Sequence, residues 1–102
     1  MNVSELIVAP EWKTLEFKRD LSSLSPILKT LLAFANTSGG TLVVGVANDG
    51  AVIGVANPLS EEERLSNAIA DSIRPAMTPE IDLVSQEGKT LLMVRLPHWR
   101  GP

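Results

Sequence analysis

Three carboxylates and one ammonium are the groups in this sequence best suited to chemistry. Glu11, Glu16 and Asp49, with Lys18, could assemble a divalent-metal site for phosphodiester cleavage. Hard oxygen ligands suit Mg²⁺ or Mn²⁺, and a nearby ammonium stabilises the negative charge that builds up during attack on phosphorus. The spacing sets a condition. The step of five from Glu11 to Glu16 fits neither one strand face nor one helix face, so the chain must bend between them. The same residues also have a structural reading, in which Glu16 and Lys18 form a solvated pair and Asp49 serves the turn at Asn48-Asp49-Gly50.

A second chemistry is contact with nucleic acid. Lys13, Lys18, Arg19 and Lys29 fall in the first third of the chain, and Asn36 stands at a helix end, where cations and amides could hold phosphates. No aromatic pair occupies an evident exposed strand, so base stacking has no support. Nucleotide hydrolysis is excluded on chemistry. Gly45 and Gly50 have the spacing of a phosphate loop, but Ala51-Val52 replaces the required Lys-Ser/Thr, and a hairpin follows where a helix should. With no cysteine and a single histidine, His98, neither a thiolate nor a zinc site can be assembled.

These groups need elements to position them. Leu15 and Phe17 alternate with Thr14, Glu16 and Lys18, which predicts a strand with its apolar pair facing the core. Ser25-Pro26 opens a helix whose apolar face runs through Ile27, Leu28, Leu31, Leu32, Phe34 and Ala35. Gly39-Gly40 ends it, with Gly39 expected in the left-handed conformation. Thr41 to Val46 is an apolar, β-branched run suited to a strand covered on both faces. Asn48-Asp49-Gly50 then suits a two-residue hairpin turn into a second short strand. Ser60 to Glu63 reads as a capping box opening a second helix, with Leu65, Ala68, Ile69 and Ile73 buried and Arg74-Pro75 at its end. A final hairpin turns at Glu87-Gly88-Lys89 and returns through Thr90 to Leu96, with Arg95 facing solvent.

The expected architecture is α+β: one two-layer domain in the order β-α-β-β-α-β-β, with about five strands in a mixed sheet and two helices on one face. All 102 residues belong to it, residues 1–10 as a leader and 98–102 as the start of a linker to further C-terminal domains. No apolar run approaches the ~18 residues of a membrane span, so a cytoplasmic location is expected. The net charge of -3 excludes a strongly basic, nonspecific DNA binder while leaving room for a local basic face.

The wording FANTSGGTLVVGVANDG, preceded by Glu16-Phe17-Lys18, resembles the Schlafen AlbA-like domain across roughly residues 11 to 97. That resemblance implies an Alba-type α+β layout. It also implies a DNA-binding module of the kind found in prokaryotic proteins described as transcriptional regulators or RecG-related helicases. Schlafen-type RNA nucleases are similar in having a Glu, a second Glu five residues on, and an acid after the Gly-Val strand. By that likeness Glu11, Glu16 and Asp49 would be metal ligands with Lys18 beside them. The family often has an acid nearer the valine, where this chain has Ala47 and Asn48. The expected function is therefore nucleic-acid binding, DNA or RNA, without cleavage and without a cofactor. Metal-dependent RNA cleavage with Mg²⁺ or Mn²⁺ is the enzymatic alternative. A protein-interaction or homodimerisation module is the third reading.

Overall fold

The apolar, β-branched run after the double glycine becomes the interior of the sheet. In the structure, a computed structural model describing residues 15–73 and 78–98, this is β2 (Gly40–Val44). Its neighbours are β1 (Leu15–Lys18), parallel to it, and β4 (Lys89–Leu96), antiparallel; β3 (Glu80–Gln86) closes the order β1-β2-β4-β3. Two helices connect the strands, α1 (Leu24–Asn36) between β1 and β2 and α2 (Pro58–Ser72) between β2 and β3. A parallel pair needs a crossover longer than a turn, and α1 supplies it.

Both helices pack on one face of the sheet. Ile27, Leu31 and Phe34 from α1 and Leu65 and Ile69 from α2 meet Leu42, Val44, Leu92 and Val94 in one cluster. The opposite face holds a second, smaller cluster of Leu15, Val43, Val46, Val52, Leu91 and Met93, with Phe17 and Val84 against it. Leu15 and Phe17 thus point away from the helix layer, while Glu16 and Lys18 share the helix side. Alternation identifies which residues share a face but not which side that face takes, because both sides of this sheet are apolar.

The described sheet has four strands rather than about five. The return leg after Gly50 makes only one isolated bridge, Val46 with Val52. Gly45 has φ +112°, and its carbonyl accepts the N–H groups of both Ile53 and Gly54, at 2.7 and 2.9 Å. The backbone therefore swings out of the sheet just after β2, and a regular fifth strand cannot form. The turn is also longer than predicted. Ala47 N–H donates to Ala51 O at 2.9 Å, enclosing three residues and ending at Gly50 with φ +88°. This is the form in which a turn is followed by a left-handed glycine.

Both helix starts differ from expectation. α1 begins at Leu24 with Ser23 as N-cap, placing Pro26 inside the first turn. There its missing N–H costs nothing, because first-turn amides have no intrahelical acceptor. α2 begins at Pro58 after Asn57, whose left-handed backbone (φ 53°) turns the chain into the helix. Ser60 then lies within the helix, so it is not the cap. Ile73 caps the other end through its N–H to Ile69 O, 3.0 Å away, whereas Arg74-Pro75 falls outside the described residues. Ala68 is half-buried, and Leu65, Ile69 and Ile73 are buried.

The β3–β4 hairpin closes on Glu87 and Gly88, both at positive φ (52° and 74°), the two-residue type I′ geometry. Glutamate is an unfavourable occupant of that first position. Glu87→Asn, which tolerates the left-handed region, is expected to raise stability by about 0.5–1 kcal/mol in chemical denaturation. An unchanged unfolding midpoint would show that the turn carries no strain.

Candidate nucleic-acid interface

One end of the sheet gathers cations that the fold does not use. The Lys18 carbonyl accepts the N–H groups of Gly45 and Val46, at 2.8 and 3.2 Å, tying the end of β1 to the point where β2 leaves the sheet. The chain then turns sharply. Asp20 Oδ1 accepts the Ser22 hydroxyl at 2.6 Å and the Ser22 N–H at 3.0 Å, a side-chain-built turn that leads straight into α1. The Ser22 hydroxyl first and its amide second hold the Asp20 carboxyl below the usual carboxylate range, with Arg19 adding a smaller pull. Lys18, Arg19, Asp20, Ser22, Ser23 and Pro26 line a shallow cavity of about 170 Å³ here.

The other described cations are held by the fold. Arg64 donates to Leu21 O at 2.7 Å and Glu61 Oε2 at 3.1 Å, fixing α2 to the loop after β1. Arg95 bridges Glu80 at 2.9 Å and Asp82 at 2.6 Å on the sheet face away from the helices. It is exposed, as expected for the residue that interrupts the apolar run. Lys89 Nζ donates to Val52 O at 3.1 Å. Among the described residues Lys18, Arg19 and Lys29 form no ion pair. Lys18 is half-buried, and Arg19 and Lys29 are exposed.

The sequence candidates divide by position. Lys18 and Arg19 lie at the N-terminal end of α1, and Lys29 lies along it. Asn36 is exposed at the far end of this 13-residue helix, about 20 Å away at 1.5 Å per residue. The cations therefore do not surround the Asn36-Thr37-Ser38 helix end. Ser22 and Ser23, absent from the sequence candidates, stand among them instead. The signal was present in the order Asp20-x-Ser22-Ser23 directly ahead of an apolar helix, where hydroxyls collect beside free amides.

The carboxylates are engaged locally. Glu16 lies half-buried beneath α1, where its Oε2 accepts the Thr30 hydroxyl at 2.7 Å. Asp49 is exposed in the turn after β2 and accepts the Ala51 N–H at 2.9 Å, the structural role open to it from the sequence. Glu11 and Lys13 fall outside the described residues. Among the described residues no three His, Asp or Glu side chains stand close enough to hold a metal ion, so they do not form a Mg²⁺ or Mn²⁺ site by themselves.

The opposite end of the sheet has a larger cavity of about 630 Å³, lined by Ser38, Gly40, Thr41, Thr78, Glu80 and Arg95 among others. His98 docks nearby, with its Nδ1 3.1 Å from Ala35 O in the last turn of α1. No helix of the described residues is long and apolar enough to cross a membrane.

Two helices on one face of a mixed sheet, with an α1 crossover ending at a double glycine, make a two-layer α+β domain. The chain matches the family model described as "Schlafen, AlbA_2" over residues 11–100 and belongs to that family. The N-terminal domain of a RecG-related protein from Nitrosomonas europaea is similar in structure. It has a TM-score of 0.73 and 29% identity, over 93% of this chain and 69% of that one. The DIP2311 protein of Corynebacterium diphtheriae has the same fold at 17% identity and TM-score 0.72, with 98% of this chain aligned to 22% of that longer one. No curated protein sequence matches the chain.

Proposed function

We propose that this domain binds nucleic acid through the sugar-phosphate backbone, along the end of β1 and the first half of α1. In this reading it is the nucleic-acid-binding module of a transcriptional regulator-like protein. Its membership of the Schlafen AlbA_2 family and its similarity to a domain of a RecG-related protein support a nucleic-acid-related role. The observation that carries the reading is the set of cations that form no ion pair among the described residues, Lys18, Arg19 and Lys29, with Lys18 and Arg19 beside the Ser23 hydroxyl; the Ser22 hydroxyl already donates to Asp20. Among the described residues, Glu62, Glu63 and Asp71 lie elsewhere on α2, and Glu80 and Asp82 lie on β3. Three carboxylates stand nearby and each is engaged: Glu16 by Thr30, Asp20 by Ser22, and Glu61, which lines a cavity with Asp20 and Ser22, by Arg64. Lysine and arginine supply affinity for phosphates, and hydroxyls fix register, without reading base identity.

The test is a titration against single- and double-stranded DNA and RNA at several salt concentrations. Removing one cation that neutralises a phosphate should reduce the slope of log affinity against log salt by ~0.7–0.9. The Lys18→Ala/Arg19→Ala pair is therefore expected to flatten that slope by ~1.4–1.8 and to weaken binding by about tenfold or more at low salt. Arg95→Gln, which removes a cation already held between two carboxylates, should leave affinity near that of the wild type. Absence of salt-sensitive binding to all four nucleic acids would overturn the proposal.

A further inference from the structure

The hairpin geometry determines which backbone groups β3 turns outward. Glu87-Gly88 is a two-residue turn, so the pair flanking it, Gln86 and Lys89, exchanges both hydrogen bonds. Bonded and non-bonded pairs then alternate along the ladder. Val84 with Leu91 and Asp82 with Met93 are bonded pairs, whereas Ser85, Leu83 and Ile81 direct their N–H and C=O groups away from β4. The hydrogen bond from Val55 N–H to Thr90 O at 2.8 Å agrees with this phase, since Thr90 faces Ser85 and its groups also point out of the hairpin. Among the described residues no strand pairs with the outer edge of β3.

The charges on this edge are Glu80 and Asp82, both bridged by Arg95. The seven residues of β3 include no lysine or proline, and Leu83 at its centre is 38% exposed. Long edges are normally interrupted by such residues, because unpaired N–H and C=O groups in a row template another strand.

We propose that the outer edge of β3 pairs with the same edge of a second copy of this chain, antiparallel about a two-fold axis at Leu83. The choice of occupant rests on self-complementarity. With Leu83 opposite Leu83 of the second copy, Ile81 falls opposite Ser85, and every outward-facing residue of one edge meets an outward-facing residue of the other. In that register no like charges face each other, since Glu80 stands across from Gln86 and Asp82 across from Val84. An axis at Asp82 would instead oppose two carboxylates, which is unfavourable. Arg95 further neutralises this edge by bridging Glu80 and Asp82 within each copy. The Leu83 side chains meet on the helix side of the joined sheet, covering apolar surface that each copy leaves exposed. One seven-residue strand is a small contact beside the ~1,200–2,000 Å² of stable complexes, so the dimer is weak and concentration-dependent.

The test combines mass and amide exchange on the whole chain. Sedimentation equilibrium over a wide concentration range should show monomer passing to dimer. Each copy carries a net charge of -3, so added salt should leave the dimer intact or strengthen it, the reverse of its effect on nucleic-acid binding. Amide exchange should show Ile81, Leu83 and Ser85 gaining protection as concentration rises, while Asp82 and Val84 are protected throughout. Leu83→Lys sets two ammonium groups face to face and should raise the dimer dissociation constant about tenfold or more. Its thermal melt and its affinity for nucleic acid identify any loss of folding or of the other site. The Lys18→Ala/Arg19→Ala pair should leave the mass distribution unchanged. A chain that stays monomeric at every concentration would overturn the proposal. So would a dimer that is indifferent to Leu83→Lys, or one whose concentration-dependent protection falls outside β3.

Discussion

Replacing Gly39 with alanine is expected to destabilise the domain by about 2–3 kcal/mol, the cost of a left-handed non-glycine residue joined to a close contact with no flexible partner. Gly39 has φ +79°, and its N–H donates to Phe34 O at 2.7 Å, closing the C-terminal end of α1. A Cβ there would stand 2.8 Å from Leu96 O and 2.9 Å from His98 N. Both are backbone atoms, so the end of β4 would have to move. Gly39→Asn separates the two causes. Asparagine tolerates positive φ better than alanine, so it should recover roughly 0.5–1 kcal/mol and none of the steric part. Urea unfolding of the three proteins measures this directly. A loss below about 0.5 kcal/mol for alanine would mean that neither cause operates.

The second large effect concerns the sheet face away from the helices. Leu91 and Leu92 are adjacent in β4, both with 0% exposure, and they enter different clusters. Leu92→Ala removes a side chain from beneath the helices and should cost ~2–5 kcal/mol. Leu91→Ala is expected to cost a similar amount, because its side chain is enclosed just as fully. A Cβ on Gly45 would lie only 2.6 Å from Leu91 Cδ2, so Leu91 fills the space that this glycine leaves open. An ordinary half-solvated face would give a different result, with Leu91→Ala costing under ~1 kcal/mol. That result would disprove a second core.

Those two sites mark what could be read in advance. The left-handed Gly39 was legible because the helical apolar spacing ends just before a double glycine, and few other residues can continue such a chain reversal. The central strand was legible from its uninterrupted β-branched run. The side taken by Leu15 and Phe17 was not, since two apolar faces satisfy the same alternation equally well. The missing fifth strand depends on Gly45 at φ +112°, and a glycine in an apolar run does not reveal the sign of its φ. Ser60 and Glu63 had the order of a capping box, but Asn57 turns the chain earlier and Pro58 starts the helix ahead of them.

The candidate site divides in the same way. Lys18, Arg19 and Lys29 share one region because a strand and the helix after it meet there. Asn36 is close to them in the order of motifs but lies one helix length away in space. The roles of Ser22 and Thr30 depend on a turn and on a contact 14 residues apart, Thr30 to Glu16, and local patterns do not report such contacts.

The position of β4 bears on how the chain reaches its fold. It is the last described strand in sequence, yet it lies inside the sheet, bonded to β2 on one side and β3 on the other. As the polypeptide emerges from the ribosome, β1, α1 and β2 can assemble only with one side of β2 unpaired. β3 has no partner at all until its hairpin closes. Completion of the described sheet waits on Lys89–Leu96. The β3–β4 turn then forms in ~1–10 μs, and the slower search is the docking of that hairpin against β2, which lies far back in the sequence. Until it docks, the nascent chain exposes the β2 edge that β4 will later cover.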